Sequence, residues 1–136
     1  SHLGAERALV VHGAGGLDEI SLSGPTDIHE VSSGARLAYQ VNPQDVGVDQ
    51  YPAVSIAGGT AAENARMMRA LLAETDDSPE ADARRDIACV NAAAALVASG
   101  VARDLSDGVH HAREALRSGA ALARLDTLVR VSQAVA

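Results

Sequence analysis

The pattern of the chain changes near residue 58, and that change limits the fold more than any other feature. Before it, short β-forming runs are separated by Gly, Pro, Ser and Asn; after it, alanine-rich segments repeat apolar residues at helical spacing. Strands therefore come first and helices second, in a chain of 136 residues that is sized for one core. That core has few large side chains to draw on. Tyr39 and Tyr51 are the only aromatic residues, so Ala, Val and Leu must fill it. Small side chains let helices approach closely but bury less area apiece, which leaves such a chain marginal by itself.

Local signals place the elements. Ala8 to Val11 is a continuous apolar run closed by glycines, the pattern of a strand covered on both faces in a parallel sheet. Glu19 to Ser23 alternates polar and apolar residues with Ile20 and Leu22 on one face, and reads as a further strand. Asp27 to Val31 and Arg36 to Val41 form a half-exposed hairpin around a turn at Ser32-Ser33-Gly34. Asn42 followed by Pro43 predicts a short helical turn through Val46. Thr60 and Glu63 make a capping box for a helix ending near Glu74, with Met68, Leu71 and Leu72 on its apolar side. The acidic stretch from Glu74 to Asp86 is a solvated linker and helix start. A second helix carries Ile87, Val90, Ala94 and Val97 and stops at Gly100. A third starts at Ser106 and runs to about Arg117, and after Ser118-Gly119 a fourth carries Leu122, Leu125, Leu128 and Val129.

Composition narrows the chemistry. With 18 acidic against 11 basic residues the net charge is −7, which repels phosphate and argues against nucleic acid as a partner. All the basic residues are Arg; without Lys there is no Walker-type loop, Schiff base or lysine general base. No apolar run approaches the ~20 residues of a membrane span, and no signal peptide is evident, so the expected location is cytoplasmic and away from membranes. The single Cys89 lies in an apolar segment and reads as core.

Few residues remain as candidates. His110 and His111 are adjacent on a helix and do not make the i, i+4 pair that holds one metal; His2 is terminal, and His29 lies opposite Ile28 on a strand. No nucleophile elbow is present. Gly58-Gly59-Thr60 offers helix amides to an anion, although a helix start that needs no ligand is commoner. Gly13-Ala14-Gly15-Gly16 lacks the spacing of a dinucleotide loop and is followed by strand-like sequence where that fold requires a helix. What survives is Asp18-Glu19, two carboxylates beyond the end of a strand, with hard oxygen donors suited to magnesium. On spacing alone, solvated acids in a surface turn are the commoner explanation.

A wider similarity shifts that balance. The run ALVVHGAGGLDEISLSGPT (residues 8–26) resembles the signature region of anthranilate phosphoribosyltransferases. The similarity continues through Ala57 to Ala65, Val90 to Leu96, and Gly108 to Leu125, and so covers essentially the whole chain. The resemblance implies an α/β fold, namely part of a phosphoribosyltransferase or nucleoside-phosphorylase-like domain with strands and a hairpin followed by four helices. It implies Mg2+ as cofactor, held by Asp18 and Glu19, with phosphoribosyl pyrophosphate and anthranilate as partners in a full-length homo-oligomer. Members of that family also carry an N-terminal helical domain, a glycine-rich pyrophosphate loop and an anthranilate-binding arginine. None of these is found here, so residues 1–136 are expected to be a C-terminal fragment of the α/β domain, inactive alone and with an exposed sheet edge. Two alternatives stand beside this: a pyrimidine nucleoside phosphorylase-like or noncatalytic homologue, and a stand-alone interaction module whose carboxylates are only solvated.

Overall fold

A computed structural model of the chain describes residues 6–32 and 34–135. Three strands come first: β1 (Arg7–Gly13), β2 (Thr26–Ser32) and β3 (Ala35–Val41). Two short 3-10 turns follow, Pro43–Val46 and Ala53–Ile56, and then helices α1 (Ala61–Leu72), α2 (Ala81–Ala98), α3 (Leu105–Arg117) and α4 (Ala120–Val135). The expected order of strands, hairpin and four helices is the observed one. No described helix is long and apolar enough to cross a membrane.

The sheet corrects one expectation. β1 pairs antiparallel with β2, from Arg7 opposite Ser32 to Gly13 opposite Thr26, and β2 pairs antiparallel with β3. Among the described residues no strand is parallel, because the segment between Gly13 and Thr26 contains no crossover helix and returns the chain directly alongside β1. β1 is thus an edge of the described sheet rather than a strand covered on both faces, and Val10 stays 64% exposed. The hairpin of β2 and β3 is half-exposed as expected: Ile28 is fully buried while His29 faces solvent. Gly34 takes a left-handed φ of 82° beside the turn; Ser33 lies outside the described residues.

Glu19 to Ser23 is not a strand. Ile20, Ser21 and Leu22 are each 1% exposed, so the alternation seen in the sequence does not become alternating burial. Ser21 is buried without loss because its N–H donates to Thr26 Oγ1 (2.9 Å) and its hydroxyl to the Ala14 carbonyl (3.2 Å). Ile20 and Leu22 enter the core together with Ile28, Val41, Val46 and Val48, packed against Cys89, Val90, Ala93, Val97, Val109 and Leu116 of the helices. No aromatic ring is fully buried there, in keeping with the composition.

Small residues set the helix packing. A Cβ added to Gly108 of α3 would lie 2.7 Å from the Ala93 side chain of α2, so the two helices meet at a distance only glycine permits. Asp86 of α2 accepts from the Arg113 guanidinium (3.0 Å) and from the Asp49 N–H (3.3 Å), while Arg113 also donates to the Gly47 carbonyl (3.0 Å). That network fastens the turn after Pro43–Val46 to both helices, and its mutual pairing offsets the cost of burying Asp86. α3 begins one residue earlier than its spacing suggested, because Asp104 rather than Ser106 caps it by accepting the Asp107 N–H (2.9 Å). α1 contributes no fully buried residue, and Met68 is half exposed on what should be its apolar side.

Candidate metal centre

The loop from Gly13 to Pro25 is built from both ends inward. At its entrance the Gly13 N–H donates to the Leu17 carbonyl (2.9 Å) and the Leu17 N–H returns to the Gly13 carbonyl (3.2 Å). Gly15 and Gly16, each with φ of 81°, allow the chain to reverse inside that bridge. At its exit the Ala14 N–H donates to the Pro25 carbonyl (3.0 Å), and Thr26, fully buried, holds Ser21. Between these ties the chain presents Asp18, exposed, and Glu19, half-buried.

Two contacts define the peptide that joins Glu19 to Ile20. Its carbonyl lies so near Gly13 that a Cβ there would sit 2.5 Å from the Glu19 oxygen. Its N–H donates to Asn91 Oδ1 of α2 (2.8 Å), and Asn91 Nδ2 donates to the Ile20 carbonyl (3.1 Å) and to the Ile87 carbonyl (3.1 Å). The sequence offered Asn91 only as part of a similar run, and gave it no role. Its signal was that it is the one strongly polar side chain in the apolar stretch Val90 to Val97.

Neither the Asp18 nor the Glu19 carboxylate has a hydrogen-bond or ion-pair partner among the described residues. Burial pushes the Glu19 carboxyl above its ordinary range, and the adjacent Asp18 charge adds to the shift. An uncompensated acidic pair in a rigid loop is a donor set that suits a hard divalent cation, so the residues fit magnesium. They do not make a complete cage. Among the described residues no group of three or more His, Cys, Asp or Glu side chains gathers as a metal site, and a cation here would take its remaining ligands from water or phosphate.

The other candidates are not brought to this loop as ligands. His12 is exposed near the end of β1, opposite Asp27 across the ladder; His29, His110 and His111 are exposed, and His2 lies outside the described residues. Cys89 is 1% exposed and burial pushes its thiol up, as a core residue requires. Two of the three amides from Gly58 to Thr60 are already engaged: the Gly59 N–H donates to Asn64 Oδ1 (2.8 Å) and the Thr60 N–H to Glu63 Oε2 (2.8 Å).

Comparison with known proteins agrees with this layout. The a/b domain of the glycosyl transferase family matches residues 1–122. Anthranilate phosphoribosyltransferase of Roseiflexus castenholzii is 49% identical over 131 residues, covering 96% of this chain and 37% of the relative. That of Xanthobacter autotrophicus is 46% identical over 134 residues, covering 98% and 38%. The chain thus spans well under half the length of the curated relatives it matches. Among solved structures, the Thermus thermophilus anthranilate phosphoribosyltransferase superposes with a TM-score of 0.76 at 39% identity, over 91% of this chain and 35% of that one. The Saccharomyces cerevisiae enzyme in complex with PRPP and Mg superposes at 0.76 with 25% identity, over 87% and 33%. The loop of unpartnered carboxylates, the hairpin and the close-packed helices therefore sit in a chain that belongs to the glycosyl transferase family, within its α/β domain.

Proposed function

We propose that this chain is the later part of the α/β domain of an anthranilate phosphoribosyltransferase, and that Asp18 and Glu19 position its magnesium ions. The observation that carries the reading is the pair of unpartnered carboxylates on a loop fixed by Gly13 and Asn91. Support comes from relatives that match most of this stretch, one of them solved with PRPP and Mg. In the full protein the anthranilate amine would displace pyrophosphate from the ribose C1: a C–N bond forms, the C–O bond to pyrophosphate breaks, and the amine gives up a proton. Mg2+, when bound, offsets the negative charge that collects on the departing pyrophosphate.

The chain's own residues hold geometry in this scheme. Asp18 and Glu19 supply anionic oxygen, the Gly13–Leu17 bridge keeps the loop closed, and Asn91 anchors it to α2. Sequence beyond residues 1–136 would provide the N-terminal helical domain, the pyrophosphate loop and the anthranilate contacts, in a cytoplasmic homo-oligomer. The open edge of β1 is a natural place for a neighbouring strand to pair.

The test is phosphoribosylanthranilate formation by the intact protein at graded magnesium concentrations. Asp18→Ala should lower turnover at least tenfold and raise the magnesium requirement; unchanged PRPP affinity and turnover would remove the metal role. Residues 1–136 alone should give no product, and detectable product would refute the assignment of the missing contacts to other sequence.

A further inference from the structure

We propose that Asn91 is a positioning residue for the Asp18–Glu19 pair, setting the direction of the Glu19 side chain through the Glu19–Ile20 peptide; this rests on reading that pair as a divalent-cation site. The argument begins with what Ile20 lacks. It is 1% exposed, lies in no strand, and finds no backbone partner among the described residues for its N–H or its carbonyl. Asn91 serves both groups, accepting from the N–H at 2.8 Å and donating to the carbonyl at 3.1 Å, as a neighbouring strand would. Its second amide hydrogen is spent on the Ile87 carbonyl one turn back (3.1 Å), which fixes the side chain on α2.

The consequence passes to Glu19 through a planar bond. The Ile20 N–H and the Glu19 carbonyl belong to the same peptide unit, which resists twisting. Asn91 holds that unit by its N–H, and the closeness of Gly13 limits where its oxygen can go. The plane is gripped from both sides, and the Cα of Glu19 inherits its orientation. Only a carboxamide meets all three demands: a carboxylate cannot donate, a hydroxyl is too short to span both Ile20 groups, and an aliphatic side chain leaves two buried polar groups unpaired. Nothing in this arrangement requires Asn91 to touch the cation.

The test uses the intact protein and Mn2+ as the probe, with free Mn2+ read by electron paramagnetic resonance, in the wild type, Asn91→Ala, Asn91→Leu and Asp18→Ala. Both Asn91 variants should bind Mn2+ at least fivefold more weakly. In activity assays the half-saturating Mg2+ concentration should rise more than kcat at saturating Mg2+ falls. A second measurement needs no variant at Asn91: in the wild type the Asn91 side-chain amide resonances should shift as Mg2+ is added, following the same saturation curve as binding, and should stay still in Asp18→Ala. Wild-type Mn2+ affinity in both Asn91 variants would overturn the proposal, as would amide resonances that Mg2+ does not move while Asp18→Ala weakens binding. If Asp18→Ala binds Mn2+ as the wild type does, the cation reading of the pair itself falls and takes this proposal with it.

Discussion

Two glycine-containing turns in this chain end in carboxylates, and they treat their acids in opposite ways. At Gly58 to Glu63 the acid is consumed by the fold: Glu63 accepts from the Thr60 N–H (2.8 Å) and hydroxyl (2.6 Å), and these bonds hold its carboxyl below the ordinary range. At Gly13 to Glu19 the acids are left over, and Glu19 is held above its ordinary range by burial and by Asp18. The glycines differ as well. A Cβ at Gly13 would lie 2.5 Å from the backbone oxygen of Glu19, whereas one at Gly58 would meet only the exposed Asn64 side-chain amide, at 3.1 Å. A carboxylate that caps a helix has a structural use already; one with no partner among the described residues has none, and that is what the proposed cation role draws on.

The sharpest way to break this contrast is at the glycines. Gly13→Ala should destabilise the fold by about 1–3 kcal/mol through overpacking, while Gly58→Ala should cost under about 1 kcal/mol, because only the exposed Asn64 amide and its bonds to Gly59 must shift. Urea unfolding of the two variants measures both, and equal costs would erase the distinction. Next in size is the cap. Thr60→Ala should cost about 1 kcal/mol, expressed as fraying of α1 in amide exchange, because α1 has no fully buried residue to hold it. Cation affinity at Asp18 and Glu19 should be unchanged by that substitution, and a loss would tie together two turns described here as independent.

The smallest effect is the most diagnostic. As pH falls, Glu19 should take up its proton before Glu63, which carboxyl resonances in an NMR titration would report directly. The signs are opposite. Stability contributed by Glu19 is present below its unfolded pKa and is lost as pH rises through its raised folded pKa, so protonation relieves a cost. Stability contributed by Glu63 is present above its unfolded pKa and is lost as pH falls through its lowered folded pKa. Asp107 extends the series: bonds from the Arg103 guanidinium and N–H hold its carboxyl down to about 2, so its pairing with Arg103 should be lost only as pH falls toward about 2. Midpoints for Glu19 and Glu63 in the reverse order would overturn the comparison.

What could be read from the sequence was what is decided within a few residues. The Thr60 and Glu63 box, the turn after Asn42 and the stop at Gly100 are each complete inside one local segment, and each is present in the structure. The three strands and the β2–β3 hairpin were legible, but the direction of β1 was not, because it depends on how the chain returns and an apolar run is silent on that. Glu19 to Ser23 misled for a related reason: Ser21 is buried through Thr26 and Ala14, partners that alternation cannot register. The turn at Ala53–Ile56 has no side-chain cap bond to announce it. The acid pair was visible at once, whereas Asn91, 71 residues from Ile20, was not.

That span of 71 residues also orders events in time. The Gly13–Leu17 bridge closes over four residues and can form as soon as β1 does, but the Ile20 clamp exists only after α2 has folded and docked. The peptide behind Glu19 therefore takes its final setting only in a molecule whose two halves have already met. A partly folded molecule would carry the acids and the turn without the geometry, so competence at this loop is a certificate of completed folding rather than a property of the local sequence.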